Sequence, residues 1–549
     1  MTDRQRVAVV TGGGGGIGAA LAQELGRSGW FVVTVDPLVA LDGSVVTAPA
    51  EETTADRVIA AGGSAMASSA SVTDRAALVD LFGQLVATHG GIDGVINVAG
   101  ITRQTGFAHG SADDWRAVLE VHLGGFLNIL HAALPHMAAQ GRGSVLGVTS
   151  GSGWRAANAG AYSCAKRVVA SLVWQLGRQL PPGVTINAIS PIAATRMVAA
   201  AAERARKAGT SGGGGLSLFE SMPKPEELAP LGSHLVDDGF RWCTGRVFFA
   251  GGSEVAVIDQ PRLIEVVRTE TDVAVTQILG ATVPKAFVPA EARQISEGGS
   301  NPRFAALYEP SAPAPPASTG IRACLVVGDG AWAGSVADAL EACSVTCHRV
   351  APGHGFPDAG AGWRGIADEH GPLDAIVLVR EPEAPPSPAA GPEWEQTLAA
   401  HAGMVRWLED DAAWARAAAD HAKETARAVR FVSLIGATHA GGRSRAQAAA
   451  QLARSAAEST AHRVCALSVS VEGSEVGTLG QVGAYLATAD EASGLAGAEL
   501  VLGRDWFGLR SHPRPLGSIT YGGPDLPYWF DDAIGDMVGP VPVPSAGAS

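Results

Sequence analysis

Lysine is nearly missing from this chain: five stand among 549 residues, at positions 166, 207, 224, 285 and 423. The place of each is therefore informative. Cysteine is sparse too. Cys164, Cys243, Cys324, Cys343, Cys347 and Cys465 show neither metal-ligand spacing nor a pairing frame. That argues against a disulfide scaffold and a structural metal site, and a reducing cytoplasm is the expected location. Positive charge is in deficit, with a net charge of -14, so nucleic acid and an anionic membrane surface are not expected partners. No apolar stretch approaches the roughly 18 to 20 residues of a membrane span. The start, MTDRQRVAVVTGG, runs directly into a strand pattern and leaves no room for a secretory signal. With 46% hydrophobic and 17% charged residues, the chain reads as soluble and globular. At this length one core is too few, so two domains are expected and a third has room.

What is present begins at Arg6: an apolar strand (VAVV), a glycine turn, a helix (AALAQELGRSG) and a second strand (FVVTVD). The turn is Thr11-Gly12-Gly13-Gly14-Gly15-Gly16-Ile17-Gly18. Glycines 12, 16 and 18 permit a sharp turn, close approach of a pyrophosphate, and packing of helix on sheet; the helix then offers free amides to an anion. Read alone, five glycines in a row also suit a flexible loop. Asp36, ending the second strand, weighs toward the first, with a solvated strand-end aspartate as its plainer alternative. Its carboxylate can accept from both adenosine ribose hydroxyls and repels a 2'-phosphate, which favours NAD over NADP.

Three further stretches follow: Asn97-Val98-Ala99-Gly100 after DGVIN, Ser150-Gly151-Ser152-Gly153 after SVLGVT, and Tyr162-Ser163-Cys164-Ala165-Lys166 opening a helix. Tyr-x-x-x-Lys places phenol and amine on one helix face, a turn apart. An ammonium beside a phenol, helped by a bound nicotinamide's charge, lowers the phenol pKa toward neutrality, so Tyr162 becomes a candidate acid/base. A nearby serine hydroxyl holds the substrate oxygen.

On these motifs, residues 1 to about 262 resemble a short-chain dehydrogenase/reductase. TGGGGGIG matches the family's TGxxxGxG, NVAG its NNAG, and YSCAK its YxxxK. More narrowly, the chain resembles the hydroxyacyl-CoA dehydrogenase part of peroxisomal multifunctional beta-oxidation enzymes and their bacterial relatives, carried by DDWRAVLEVHLGGFLNILHAALPHM, NAISPIAATRM and KPEELAPL. It implies Tyr162 as acid/base, Lys166 as its activator and cofactor ribose ligand, and Ser150 as substrate-oxygen donor. It further implies a dinucleotide site of Gly12, Gly16, Ile17, Gly18, Asp36, Asn97, Ala99, Gly100, Tyr162, Lys166 and Thr195, with no metal.

There are departures. The family's usual catalytic asparagine is His122 here, in VHL, a form the beta-oxidation branch shares. His122 is a proton-relay candidate, with a core-facing histidine as the alternative. Ser150 lies one residue nearer the tyrosine than is usual, so Ser152 stays open as its substitute. No acidic residue stands near Ala70-Ser71 to meet adenine, and NAISPIAAT lacks the common glycine. From Met197 to Met222, where the family folds a lid, stand an Ala-rich helix, a glycine hinge and an apolar tip (Leu216, Leu218, Phe219), with Arg204, Arg206 and Lys207 as a candidate coenzyme A phosphate cluster.

Residues 263–319 read as a connector, with a helix expected in LIEVVRTETD and a semi-rigid PSAPAPPASTG linker. Beyond it the first half's order recurs. An offset of 316 residues brings Gly12 onto Gly328, Gly18 onto Gly334 and Gly16 onto Trp332. GPEWEQTLAAHAGMVRWL repeats the Trp-to-His spacing of Trp115 and His122. So residues 320–510 resemble a second, degenerate copy. Trp332 stands where the pyrophosphate would lie, Pro352 replaces Asp36, and Leu378 and Glu381 replace Asn97 and Gly100. The helix SRAQAAAQLARSAA has no tyrosine, and no lysine follows Lys423. The tail, 511–549, carries Tyr521, Tyr528, Trp529 and Phe530 as anchors for the first half.

The expected fold is therefore α/β: two doubly wound Rossmann-type parallel-sheet domains in tandem. The expected activity is NAD-dependent interconversion of a secondary alcohol and a ketone, on a 3-hydroxyacyl-CoA or similar thioester. A hydroxysteroid or beta-ketoester is the alternative substrate, and a nucleotide-binding scaffold the alternative of another class. The second half is expected to supply pseudo-dimer contacts within the chain, and the whole to form a homodimer.

Overall fold

The apolar runs 7–11, 94–97 and 143–148 are buried from end to end, as strands covered by helices on both faces must be. The computed structural model describes residues 4–46, 52–155, 157–207, 222–270, 273–295, 320–353, 355–382 and 391–539. Strands β1 (Val7–Thr11), β2 (Phe31–Val35), β3 (Ser64–Ser68), β4 (Gly94–Asn97), β5 (Gly143–Val148), β6 (Val184–Pro191) and β7 (Arg246–Gly251) lie parallel in the order β3-β2-β1-β4-β5-β6-β7. β8 (Glu254–Asp259) closes the run antiparallel to β7. The order reverses between β1 and β4, which opens a crevice at the carboxyl ends of those strands.

Helix α1 (Gly16–Arg27) covers one face of this sheet, packing with Leu228, Leu231 and Leu235. α2 (Thr54–Ala60) lies beside α1 on that face at the β3 edge, its Val58 against Gly26, and the other face carries α3 (Arg75–His89), α4 (Ala112–Leu119), α5 (Gly125–Gln140) and α6 (Gly160–Leu176). The helical run Ala112–Gln140 is long and apolar enough to cross a bilayer, a length the sequence pattern did not suggest, yet most of its apolar stretch is buried in the protein. α7 (Arg196–Lys207) follows β6.

The chain then leaves the first sheet. β9 (Leu263–Arg268) is a strand where a helix was expected, and it joins the second sheet. Its β-branched LIEVV run is claimed by a partner more than 240 residues away, which outweighs its local helical preference. α8 (Val275–Thr282) and α9 (Val288–Ile295) pack on that sheet as well. The second sheet comprises β10 (Ala323–Val327), β11 (Thr346–Val350), β12 (Ala375–Arg380), β13 (Val429–Gly436), β14 (Val464–Val471), β15 (Glu499–Leu502) and β16 (Trp506–Arg510), in the order β11-β10-β12-β13-β14-β15-β16-β9. This reproduces the first sheet strand for strand, without a counterpart of β3 among the described residues. Its helices include α10 (Ala331–Ala342), α11 (Met404–Thr425) and α12 (Ala440–Arg454).

After β16 the chain crosses back. β17 (Arg514–Thr520) pairs with β8, and α13 (Phe530–Val538) buries Phe530 and Ile534 on the α1 face of the first sheet. β8–β9 and β16–β17 thus form one antiparallel ribbon that changes sheets midway. At the crossing the Ser511 amide donates to the Arg262 carbonyl (2.7 Å), and the Arg262 amide to Ser511 Oγ (3.0 Å). Residues 263–268 and 514–520 are therefore sheet strands rather than connector and tail. Of the tail's aromatic anchors, Tyr521 and Phe530 meet edge to face at 6.2 Å, whereas Tyr528 is wholly exposed.

The two halves share a core. One apolar cluster runs from β1 and β4 through α5 and α6 to Trp407, Trp414 and Ala448 of the second half. α6 lies against α12, where Gln175 Nε2 donates to Ser444 Oγ (3.0 Å) and Ser444 Oγ to Ser171 Oγ (2.9 Å). Behind them the buried Arg167 pairs with Glu499 at 2.6 Å, and Glu499 also takes Arg454 at 2.9 Å.

Candidate active site

A cleft of about 690 Å³ lies along the carboxyl ends of β1, β2, β4 and β5. Its floor is the β1–α1 turn. Gly12 has φ +66°, and a side chain there would begin 2.7 Å from the Ala99 amide nitrogen; at Gly18 it would collide with the Gly12 carbonyl. Glycine at these two positions lets the turn lie against the 97–100 loop and the helix against the turn. Asn97 is buried, its Oδ1 accepting from Thr11 Oγ1 (2.7 Å), and the same hydroxyl accepts the Ala99 amide (3.3 Å). Asp36 is aimed by two amides, Gly14 N–H to Oδ2 (2.9 Å) and Leu38 N–H to Oδ1 (2.7 Å). Gly16, Ile17, Gly100 and Thr195 line the cleft with them. A dinucleotide fits this donor set: bare amides at the α1 N-terminus for a pyrophosphate, and a fixed carboxylate for a ribose diol.

At the inner end stand Tyr162, Lys166, Ser150 and His122. Tyr162 is hydrogen-bonded to Ser150, and the lysine nitrogen lies 5.5 Å from the phenol ring centre. Lys166 Nζ donates to the Val148 carbonyl at 2.7 Å. Ser150 caps the short turn Gly151–Gly153, its Oγ accepting the Ser152 amide at 3.2 Å. Of the two serines left open, Ser150 is the one that meets the phenol. Burial pushes Lys166 down to about 7. Burial also raises the Tyr162 phenol, against a lowering by the Ser150 hydrogen bond. The sequence expectation was a phenol lowered by the ammonium; desolvation of the phenolate is the larger effect here.

His122 sits in a wide turn between α4 and α5, where the Gly125 amide reaches back five residues to the Glu120 carbonyl. Its ring meets Tyr162 edge-on, with centroids 4.9 Å apart. Nε2 lies 2.8 Å from the Ile101 carbonyl and also receives the Ile101 amide at 3.2 Å, so Ile101 offers a partner to either tautomer, and Nδ1 has no partner among the described residues. Burial and Lys166 push the imidazole down to about 3, so it stays neutral.

The sequence reading passed over Arg196. Its guanidinium lies 3.1 Å from where a side chain at Gly15 would begin, beside the α1 amides. The signal was its place directly after Thr195, at the helix that lines the cleft. The lid tip (Leu216, Leu218, Phe219) and the side chains of Arg204, Arg206 and Lys207 lie outside the described residues.

The corresponding end of the second half is closed differently from the expectation. The Glu381 carboxylate fills the space before α10: Oε1 accepts the Trp332 amide at 2.7 Å and lies where a side chain at Gly330 would collide with it. The Trp332 indole packs along the second core instead. An internal carboxylate thus holds the anion position.

Residues 6–206 match the model of the short chain dehydrogenase family. The short-chain reductase protein NovJ of Streptomyces niveus is 33% identical over 231 residues, 41% of this chain and 85% of that one. The acetoacetyl-CoA reductase of Cupriavidus necator is 30% identical over 256 residues, 45% of this chain and 97% of that one. The chain belongs to the short-chain dehydrogenase family. A peroxisomal hydratase-dehydrogenase-epimerase of Neurospora crassa is 30% identical over 256 residues, 46% of this chain and 26% of that protein. As a short-chain dehydrogenase the chain is an oxidoreductase acting on CH–OH groups, with a nicotinamide cofactor. The sequence motifs and the cleft residues coincide in its first half.

Proposed function

We propose that this chain is an NAD-dependent dehydrogenase with one working active site, which interconverts a 3-hydroxyacyl thioester and its ketone. The observation that carries the reading is the meeting of Tyr162, Ser150 and Lys166 at one end of a cleft whose other end is Asp36. When bound, a nicotinamide dinucleotide supplies the two-electron acceptor or donor. Tyr162 Oη takes the hydroxyl proton in oxidation and returns it in reduction. Ser150 Oγ holds the substrate oxygen within reach of that phenol. Lys166, held by the Val148 carbonyl and titrating near 7, takes the phenol's own proton before oxidation, leaving a phenolate to accept the hydroxyl proton, and gives it back in reduction. Asp36 holds the ribose diol and disfavours a 2'-phosphate. Neutral His122 forms the wall behind Tyr162 rather than a carrier of protons, because its site rejects the second proton.

The thioester substrate is supported by the likeness to the acetoacetyl-CoA reductase and to the hydratase-dehydrogenase-epimerase. The second half, in this reading, is a non-catalytic copy. Its repeated strand order, the Glu381 carboxylate at the α10 amides and the absence of tyrosine from α12 support that. The test is a fluorescence assay of reduced cofactor on a panel of hydroxyacyl thioesters, hydroxysteroids and beta-ketoesters, together with calorimetric stoichiometry. Thioester turnover, its loss by about 10² to 10⁴-fold in Tyr162→Phe with NAD affinity kept, and one NAD per chain are expected. Two NAD per chain, or turnover only on steroids, overturns the corresponding part.

A further inference from the structure

We propose that Gln451 and Arg454, on α12 of the second half, are positioning residues for the active site of the first. The inference rests on the reading of Ser150 and Tyr162 as the reacting pair.

The segment that follows Ser150 is Gly151-Ser152-Gly153-Trp154-Arg155, a single tight turn rich in glycine. Its own amides close it, Gly153 N–H on the Ser150 carbonyl (2.8 Å) and Trp154 and Arg155 N–H on the Gly151 carbonyl (3.2 and 3.0 Å), while its later carbonyls face outward. Three of its carbonyls point at the other half and are taken there. Gln451 Nε2 donates to the Ser152 carbonyl (2.9 Å) and the Arg155 carbonyl (2.7 Å); Arg454 Nη1 donates to the Trp154 carbonyl (3.0 Å). Gln451 and Arg454 stand three residues apart on one helix face, and both are buried. The bracket is itself braced. Gln451 Oε1 accepts from Arg454 Nη1 (3.1 Å), while Arg454 donates to the Gly497 carbonyl (3.0 Å) and to Glu499 (2.9 Å). Glu499 in turn reaches Arg167 on α6, the residue after Lys166. Farther along, Ser459 Oγ holds Asn158 Oδ1 at 2.7 Å.

The turn has no slack on its other side. A side chain at Gly153 would begin 3.1 Å from the Arg167 amide, so the turn lies flat on α6 beside Lys166. Ser150 is the first residue of that turn and is bonded at once to the Ser152 amide and to the Tyr162 phenol. A shift of the 152–155 carbonyls moves the serine relative to the tyrosine, and misplacement on the scale of 1 Å costs about 10²-fold in rate. The non-catalytic half thereby sets the geometry of the catalytic one.

The test uses the full chain with Gln451→Leu, which keeps the volume and removes the donor, and with the pair Arg454→Met and Arg454→Lys. Amide hydrogen exchange over 150–155 is expected to quicken at least tenfold in Gln451→Leu, while the 143–148 peptide is unchanged. The kcat is expected to fall about 10 to 100-fold with NAD Kd within twofold of the parent, and Arg454→Lys is expected to recover part of what Arg454→Met loses. Unchanged exchange over 150–155 overturns the proposal. So does a kcat loss matched by an equal loss of NAD binding and of global stability, which marks plain structural damage. If the parent turns over no secondary alcohol at all, the functional reading fails, and the exchange measurement still decides whether the second half holds the turn.

Discussion

His122 and His401 are imidazoles that burial keeps uncharged, at about 3 and about 4. In the unfolded chain each takes a proton near 6.5. Between 6.5 and those lower values the unfolded state binds protons that the folded state refuses, so stability is lost as pH falls through that window, by up to about 1.4 kcal/mol per pH unit for each site. Urea midpoints measured from pH 7 to pH 5 should therefore drop, and drop less in His401→Asn, which leaves the active site alone; an identical slope refutes the attribution. Arg196 calls for a different measurement. Its exposed guanidinium lies beside the α1 amides, so Arg196→Leu should weaken NAD binding about five- to tenfold at low salt. The difference should shrink at high salt, because exposed charges are screened. Isothermal titration at two salt concentrations checks both. Tyr162 and Lys166 were legible in the sequence because their spacing is set within one helix, and Asp36 because it stands at the end of the strand that follows the glycine turn and its helix. Arg196 was not, since its role depends on the β6–α7 loop approaching α1. Glu381 was noticed as a replacement for glycine, but its carboxylate, rather than the Trp332 indole, fills the anion position; only the fold shows which is nearer.

The same distinction holds for whole elements. The βα units were readable because each strand is a buried run with its turn residues beside it. β9 was misread although Ile264, Val266 and Val267 are β-branched, because so short a run carries no turn signal that separates strand from helix; its pairing with β16 decides the matter. The α6–α12 contact, too, is written in small residues whose meaning depends on what faces them. Its charged centre is Glu499, held between Arg167 and Arg454 with all three buried. Glu499→Gln leaves two guanidiniums facing each other without an anion, and should cost about 3 to 5 kcal/mol in urea unfolding. Arg167→Met should cost less, because Glu499 keeps Arg454. The reverse order would show that Arg454 contributes nothing to holding the carboxylate.

At the scale of the molecule, a 316-residue offset between the two glycine turns pointed to a repeat, yet the way the halves interlock was not legible. Each half lends a strand and a helix to the other: β9 with α8 in one direction, β17 with α13 in the other. The core on the α6 side is continuous across both. Cutting the chain at 262 therefore does more than remove a neighbour. It strips β8 of its outer partner, takes Phe530 and Ile534 from the α1 face, and bares the α6 surface that Ala448 and Ser444 cover. An apolar face of that extent drives self-association, and an unpaired strand edge invites it further. Residues 1–262 produced alone should be insoluble or aggregated and without turnover. Produced together with residues 263–549, they should yield a soluble one-to-one complex that recovers NAD-dependent activity, because the ribbon can re-form between two chains. Size-exclusion chromatography with light scattering, followed by the turnover assay, reads both outcomes. A monomeric, fully active 1–262 fragment would mean that the first half builds its own active site, and that the exchanged strands only tether what folds without them.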